Sequence, residues 1–313
     1  LKAFAAQEWR SGRVPLWNPY IQSGFPVLAE GQDGMLYPLN GLFLLSIPPY
    51  FALTLFVTLH FSLAAVFTYI LARLLGISRA GATLSGLSFG FGGFLMAQVT
   101  NLNVMTGAVW LPLIMAGLIY TLHTQRLLMA ILAGIPLALQ ILVAQPQIVF
   151  YTVLFLAGYV LFQTGRIIHN RQLISSPLKQ IAKNWGLLGL IFSFGLLLAA
   201  PQWLPTWELQ HLSIRSAGLK YEKMIEYSLP PVQLLTLALP GLFGNAVGSS
   251  YQGLSANFEE TYIYVGILPL LLACLSWRAH SRSDLFFFWL VILVSIILAI
   301  GGYNPFYRLV QYL

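Results

Sequence analysis

Apolar stretches long enough to cross a bilayer recur along this chain, and no other feature restricts its fold as tightly. They lie near 50–72, 81–99, 104–122, 127–144, 147–163, 185–204, 261–277 and 285–301. A spanning helix needs roughly 20 mostly apolar residues. Eight such runs predict an all-α polytopic membrane protein with about eight transmembrane helices. The charge supply points the same way. Only 8% of the 313 residues are charged and 58% are hydrophobic. A soluble domain is about 25% charged. Mean hydropathy is +0.77. Disordered, coiled-coil and fibrous classes are excluded. The segment 36–49 is also apolar, but Pro38, Pro48 and Pro49 break it. It reads as an interfacial or re-entrant piece before the first span.

Charge alternates along the connections. The set 73–80, 123–126, 164–184 and 278–284 holds nine of the 16 basic residues and one acid, Asp284. The other set holds seven basic residues and eight of the nine acids. The positive-inside rule makes the first set cytoplasmic. Residues 1–35 and 205–260 then form two large extracytoplasmic loops. The expected organisation is an external loop and interfacial segment (1–49), a six-helix region (50–204), an external loop (205–260) and two further helices with an external end (261–313). Together these make one membrane domain. The chain starts at Leu1 in an amphipathic stretch and ends at Leu313 beside an apolar run, so a fragment of a larger protein is expected. The net charge of +7 is an orientation signal. No basic stripe or RNA-binding aromatic motif accompanies it, so no nucleic-acid partner is expected.

Several chemistries find no motif. There is no phosphate loop, dinucleotide fingerprint, zinc-protease motif or nucleophile elbow. Cys274 is the only cysteine and lies in an apolar run, where packing explains it. Gly90, Gly92 and Gly93 stand among small residues and read as close helix packing. His60 is the one histidine well inside a span. It is either a neutral imidazole bonded to a neighbouring helix or a functional group.

The acids carry more information. Glu8, Glu30 and Asp33 fall in the first external loop, and Glu208, Glu222, Glu226, Glu259 and Glu260 in the second. Arg10, Arg13, Arg215, Lys220 and Lys223 accompany them. A carboxylate can take the proton of an attacking hydroxyl, and arginine can hold a departing phosphate. Loop solvation explains the same charges without a site. Aromatics such as Trp17 and Tyr20 form either an interfacial belt or a sugar-stacking surface. A divalent metal such as Mg or Mn suits carboxylates, but no spacing selects one.

Arg13-Val14-Pro15-Leu16-Trp17-Asn18-Pro19-Tyr20, Gly24-Phe25-Pro26, Gln32 and Tyr37-Pro38-Leu39-Asn40 occur in order in the first loop. Leu74-Leu75-Gly76-Ile77-Ser78-Arg79, Trp110-Leu111-Pro112-Leu113, Pro146-Gln147-Ile148, Gln202-Trp203-Leu204-Pro205 and Tyr264-Val265-Gly266 follow. In this order and spacing the chain resembles the bacterial YfhO-like membrane proteins, which are similar to the glycosyltransferase C superfamily. The resemblance implies transfer of a sugar from a polyprenyl-phosphate carrier, with inversion, to an envelope polymer or lipid at the outer face of the plasma membrane. Together with the placement of the acids in the external loops, it makes Asp33, Glu260, Glu259 and Glu30 candidate catalytic acids. Arg10, Arg13 and Arg215 become candidate phosphate ligands, and Trp17, Asn18, Tyr20, Gln32 and Gln147 candidate sugar or acceptor contacts. Two departures stand out. Gln145, and the region of Thr100-Asn101, take places where the family often has histidine. The superfamily's acid near the end of its first span would lie before Leu1. A flippase of lipid-linked sugars and a non-catalytic assembly protein are the alternatives.

Overall fold

The computed structural model describes the chain except residues 1, 33, 174, 214–220, 245–249, 254–257, 277–282, 306 and 309–313. Among the described residues the regular structure is helical. The α-helices are α1 (Lys2–Arg10), α2 (Val27–Glu30), α3 (Pro49–Leu74), α4 (Arg79–Gly90), α5 (Gly93–Ala97), α6 (Leu102–Thr124), α7 (Leu127–Leu142), α8 (Pro146–His169), α9 (Pro177–Leu198), α10 (Ala200–His211), α11 (Tyr221–Met224), α12 (Phe258–Thr261), α13 (Ile267–Ser276) and α14 (Ser283–Ala299). One isolated bridge pairs Asn18 with Phe25.

Five helical segments are long and apolar enough to cross a bilayer: Pro49–Leu74, Arg79–Thr100, Leu102–Thr124, Pro146–His169 and Pro177–Leu198. Their length and composition mark a membrane protein. Among the described residues the expected count of about eight is thus met by five, and the other expected runs form shorter or divided helices. α7, with 16 residues, covers only about 24 Å at 1.5 Å per residue, short of a 30 Å hydrocarbon core. α13 has ten residues and α14 has 17. The span expected from 261 begins only at Ile267, because Tyr262–Gly266 is not helical. The run 185–204 divides at Ala199 into α9 and α10, and Pro201 opens the second helix. The run 81–99 is interrupted at Phe91-Gly92. There Gly93 N–H leaves the helix ladder and donates to Tyr264 O at 2.8 Å. Gly93 serves the close packing expected of it, but against a non-helical segment: a Cβ there would stand 2.6 Å from both the Tyr262 ring and the Tyr264 carbonyl oxygen. Segment 36–49 holds a 3-10 helix, Pro38–Leu44, as its prolines lead one to expect of a non-α piece.

The chain divides into two compact units. The first is Leu1–Gly86 with Asn101–Ser213. Its centre is α6, whose residues from Met105 to Trp110 are all buried. α6 packs against α3 and α7, and α7 packs in turn against α9. Small residues allow the last contact. A Cβ on Gly134 would stand 3.0 Å from the Ile191 carbonyl oxygen, and one on Gly195 would stand 2.9 Å from Leu137. α3 ends in a Schellman-type cap, with Gly76 at φ +77 and Ile77 N–H donating to Ala72 O at 3.0 Å.

The second unit is Leu87–Thr100 with Ile214–Leu313. Among its described residues, Gln98 donates to the Glu259 backbone oxygen at 3.0 Å. α13 and α14 bear large exposed apolar residues, including Leu271, Leu275, Phe286 and Leu293. Cys274 is exposed on α13, so the expected packing role does not hold for it.

Candidate functional site

α1 is the organiser of the segment that precedes α3. Ala5 and Ala6 are buried, and Ala5 packs with Val27 and Met35. Both ends of the helix then fasten onto the 3-10 segment. At the start, Lys2 Nζ donates to Asn40 Oδ1 at 3.0 Å. At the end, Arg10 donates to the carbonyls of Phe43, Leu44 and Leu45 at 3.2, 3.2 and 2.8 Å. These carbonyls belong to the last turn of a short helix, where acceptors lack intrahelical partners. A guanidinium satisfies them.

Between α1 and the segment Met35–Leu44 lies a cavity of about 250 Å³. Lys2, Ala5, Ala6 and Trp9 line one wall, which is the i, i+3, i+4, i+7 face of α1. Tyr37, Asn40 and Phe43 line the other. The Lys2 ammonium lies 5.6 Å from the Phe43 ring centroid and 5.5 Å from that of Phe56. Attraction to aromatic faces helps hold the cation there. Asn40 Nδ2 donates to Gly34 O at 2.6 Å, so one amide joins Lys2 to the neighbouring loop.

That loop is stitched to three helix ends. Gln202 on α10 donates to Leu28 O at 2.9 Å. Asn103 on α6 donates to Gln32 O. Gly34 approaches the Leu142 and Val143 carbonyls at the end of α7. Gly31 adopts φ +80, and a Cβ there would stand 2.8 Å from Ala144 Cβ, so only glycine suits this corner. Glu30 accepts from Gln32 N–H at 3.0 Å, a bond that closes the turn.

Below the cavity, Tyr37 enters the helix core. Its hydroxyl lies 2.8 Å from His60 Nε2, His60 Nδ1 lies 2.6 Å from Phe56 O, and Trp110 Nε1 donates to the Tyr37 oxygen at 3.1 Å. The assignment of protons follows from the acceptor. The Phe56 carbonyl can only accept, so Nδ1 carries the ring proton, and Nε2 of the neutral imidazole accepts from the Tyr37 hydroxyl. Burial pushes the Tyr37 phenol up, and the Trp110 bond opposes this only in part. His60 is thus bonded, but its partner is Tyr37 from the preceding segment and not a neighbouring helix.

The sequence-derived candidates fall in several places. Arg13 forms a two-pronged pair with Glu8, at 2.8 and 2.9 Å. The Arg13 hydrogen bonds hold the Glu8 carboxyl below its ordinary 4.5 and raise Arg13. The lowered value fixes the sign: the pair contributes above pH 4.5 and is lost as pH falls through the Glu8 value. Carbon NMR of glutamate-labelled protein is expected to show Glu8 titrating below 4.5, and the Arg13→Gln variant to restore the ordinary value. Because the pair is exposed, the melting temperature should barely move.

Asn18 is 4% exposed and structural. It pairs with Phe25 through two 2.8 Å backbone bonds, and its Oδ1 accepts from Tyr20 N–H at 2.9 Å. Trp17 and Tyr20 are 56% and 84% exposed. Gln147 is exposed on the first turn of α8 and donates to Tyr151 at 2.8 Å. Asp33 and Arg215 lie outside the described residues. Glu259 and Glu260 sit on α12 in the second unit, with Glu260 exposed. Near them Tyr251 links Gln233 and Thr261 at 2.7 and 2.8 Å. Among the described residues no three His, Cys, Asp or Glu side chains cluster as a metal site.

Sequence reasoning passed over Lys2, and it took Asn40 only as part of a motif and Trp9 only as one of the aromatics of a belt or sugar-stacking surface. The helical spacing of Lys2, Ala5, Ala6 and Trp9 was the available signal. What lies opposite that face was not. No protein family, curated protein or solved structure matches the chain.

Proposed function

We propose that this chain belongs to a membrane glycosyltransferase that moves a sugar from a polyprenyl-phosphate donor to a cell-envelope acceptor on the outer face of a bacterial plasma membrane. The reading rests on the YfhO-like resemblance and on one observation, the cavity that joins the Lys2 ammonium, the Asn40 amide and the Trp9 ring. Those three groups suit a phosphosugar. The ammonium neutralises phosphate as the carrier leaves, the amide bonds a sugar hydroxyl, and the indole face stacks on the ring. At 250 Å³ the space suits a headgroup, so the prenyl chain would lie outside it in lipid.

The reaction balances without further reagents. An acceptor hydroxyl attacks the anomeric carbon, the bond from that carbon to the phosphate oxygen breaks, and a carboxylate takes the proton. Asp33 remains the carboxylate proposed for this step, on the strength of the sequence. Lys2 replaces Arg10 and Arg13 as the favoured phosphate ligand, because Arg10 is bound to three carbonyls and Arg13 to Glu8. A divalent metal is not needed for this assignment.

The test uses full-length protein in liposomes that carry a polyprenyl-phosphate sugar. Release of the carrier phosphate is expected, and Lys2→Met should slow it by about 10²-fold, with Lys2→Arg retaining more. Carrier that crosses the bilayer with its ester intact would instead establish a flippase. Unchanged turnover in Lys2→Met would remove Lys2 from the site.

A further inference from the structure

The first unit carries a second concavity at its other end. It is an open groove of about 590 Å³ between α3, α6 and α7. Phe56 and Arg73 stand 17 positions apart on α3. At 1.5 Å per residue, about 25 Å separates the cavity beside Phe56 from the groove beside Arg73. The groove exists because small residues form its floor. Ala116 and Ala133 are each 4% exposed, and a Cβ on Gly117 would stand 2.7 Å from Ala133 Cβ. Its walls are long and apolar, with Ile70 and Leu132 42% and 47% exposed. Tyr69, Tyr120 and Arg73 also line it, and Arg73 is its one charged residue.

The surroundings decide what it fits. At this end of the first unit α3, α6 and α8 finish and α7 and α9 begin. Its basic residues are Arg73, Arg79, Arg126, Arg166, Arg171, Lys179 and Lys183, and the sequence places no Asp or Glu there. The described acids of the unit, Glu8, Glu30 and Glu208, belong to α1, α2 and α10 at the other end. Arg73 is exposed and gives one N–H to Ile77 O at 2.6 Å, out of the five donors a guanidinium has. Tyrosine favours the level where apolar chains meet headgroups. An apolar slot on a lipid-facing surface, with a cation at its mouth and an unbroken positive field around it, matches an amphiphile with a negative head.

We propose that this groove binds an anionic glycerophospholipid, with an acyl chain along Ile70, Leu113 and Leu132 and the headgroup phosphate on the Arg73 guanidinium. The lipid comes from the leaflet in which the basic end sits. It fills a gap between helices that would otherwise meet disordered lipid. The proposal does not depend on the catalytic reading, because it concerns the opposite end of the unit and a bilayer lipid instead of a carrier.

Native mass spectrometry of the delipidated full chain, titrated with dioleoyl phosphatidylglycerol or dioleoyl phosphatidylcholine, tests it. Phosphatidylglycerol should be retained about fivefold better, the effect of roughly one cation near the headgroup. Arg73→Gln should erase that preference and Arg73→Lys should keep most of it. Arg166→Gln, which removes a charge from the same end but away from the groove, should leave it intact. Dihexanoyl phosphatidylglycerol should bind at least about tenfold more weakly, since its chains are too short to gain the apolar contact. Equal retention of the two dioleoyl lipids overturns the proposal. So does an Arg166→Gln loss as large as that of Arg73→Gln, which would indicate a diffuse field and no site. If Arg73→Gln does not fold, the headgroup and chain-length comparisons on the parent protein still decide the matter.

Discussion

Replacing Tyr37 by alanine is expected to destabilise the first unit by about 3–5 kcal/mol, the range for truncating a buried aromatic. Tyr37 is 2% exposed. Its ring meets Phe56 and Trp110 edge-on, with centroids 6.4 Å away in each case. The hydroxyl accepts from Trp110 and donates to His60. Tyr37→Phe separates the two contributions. It keeps the packing and leaves an indole N–H and an imidazole nitrogen unpaired in the interior, which costs about 1–3 kcal/mol. A His60→Phe change made on top of Tyr37→Phe should recover part of that loss, because it removes one of the two stranded groups. Thermal unfolding in detergent, followed by tryptophan fluorescence, reads all three. If Tyr37→Phe melts with the parent, the network carries no load. The Tyr37→Ala variant should also open the cavity, since Tyr37 forms part of its wall. Weaker donor binding would follow from the proposed function, while lower stability would not depend on it.

The same residues show where reading the sequence succeeds. The runs that became α3, α6 and α8 were legible from composition alone, because a long helix in lipid must be apolar along its whole length. Their structural ends lie within a few residues of the expected ones, except that α8 runs on to His169. The interruptions were not legible. The break at Phe91-Gly92 is tied to a hydrogen bond from Gly93 to Tyr264, a partner 171 positions away. Hydropathy averaged over a window cannot register a single backbone bond. Apolarity also does not register where a helix ends. α7 reads as a span, yet it is short and packs between α6 and α9.

The site followed the same division. Acids and arginines in the first loop were visible, and so was their chemistry. Their partners were not, since Arg10 meets three backbone carbonyls some 34 residues on, and a carbonyl leaves no trace in the sequence. Lys2 was overlooked for the converse reason. Its setting comes from Asn40, Phe43 and Phe56, none of which is close to it in the chain.

Gly134→Leu should be the most damaging single change in the α7–α9 contact. In a bilayer, apolar side chains gain little by leaving lipid, so helices are held by close packing. Here the approach is backbone to backbone. A Cβ at position 134 would meet the Ile191 oxygen at 3.0 Å and Phe194 at 3.0 Å, and one at 195 would meet the Gly134 oxygen at 3.2 Å. The two glycines therefore face each other across one interface. A single added methyl, as in Gly134→Ala, pushes the helices apart by a few tenths of an ångström and should cost about 1–3 kcal/mol. Leucine adds three more carbons where the nearest atoms are a main-chain carbonyl and a packed ring, so α9 must move away from α7 altogether. That movement would reach Gln202, which stands four residues beyond α9 on α10 and holds the Leu28 carbonyl at 2.9 Å. The expected result is loss of the monodisperse folded species in detergent, with Gly134→Ala folded but melting lower. Gly189→Leu, on α9 with open space around its Cα, is the matched control and should be tolerated. Equal tolerance of leucine at 134 and 189 would show that the helices do not meet through these glycines.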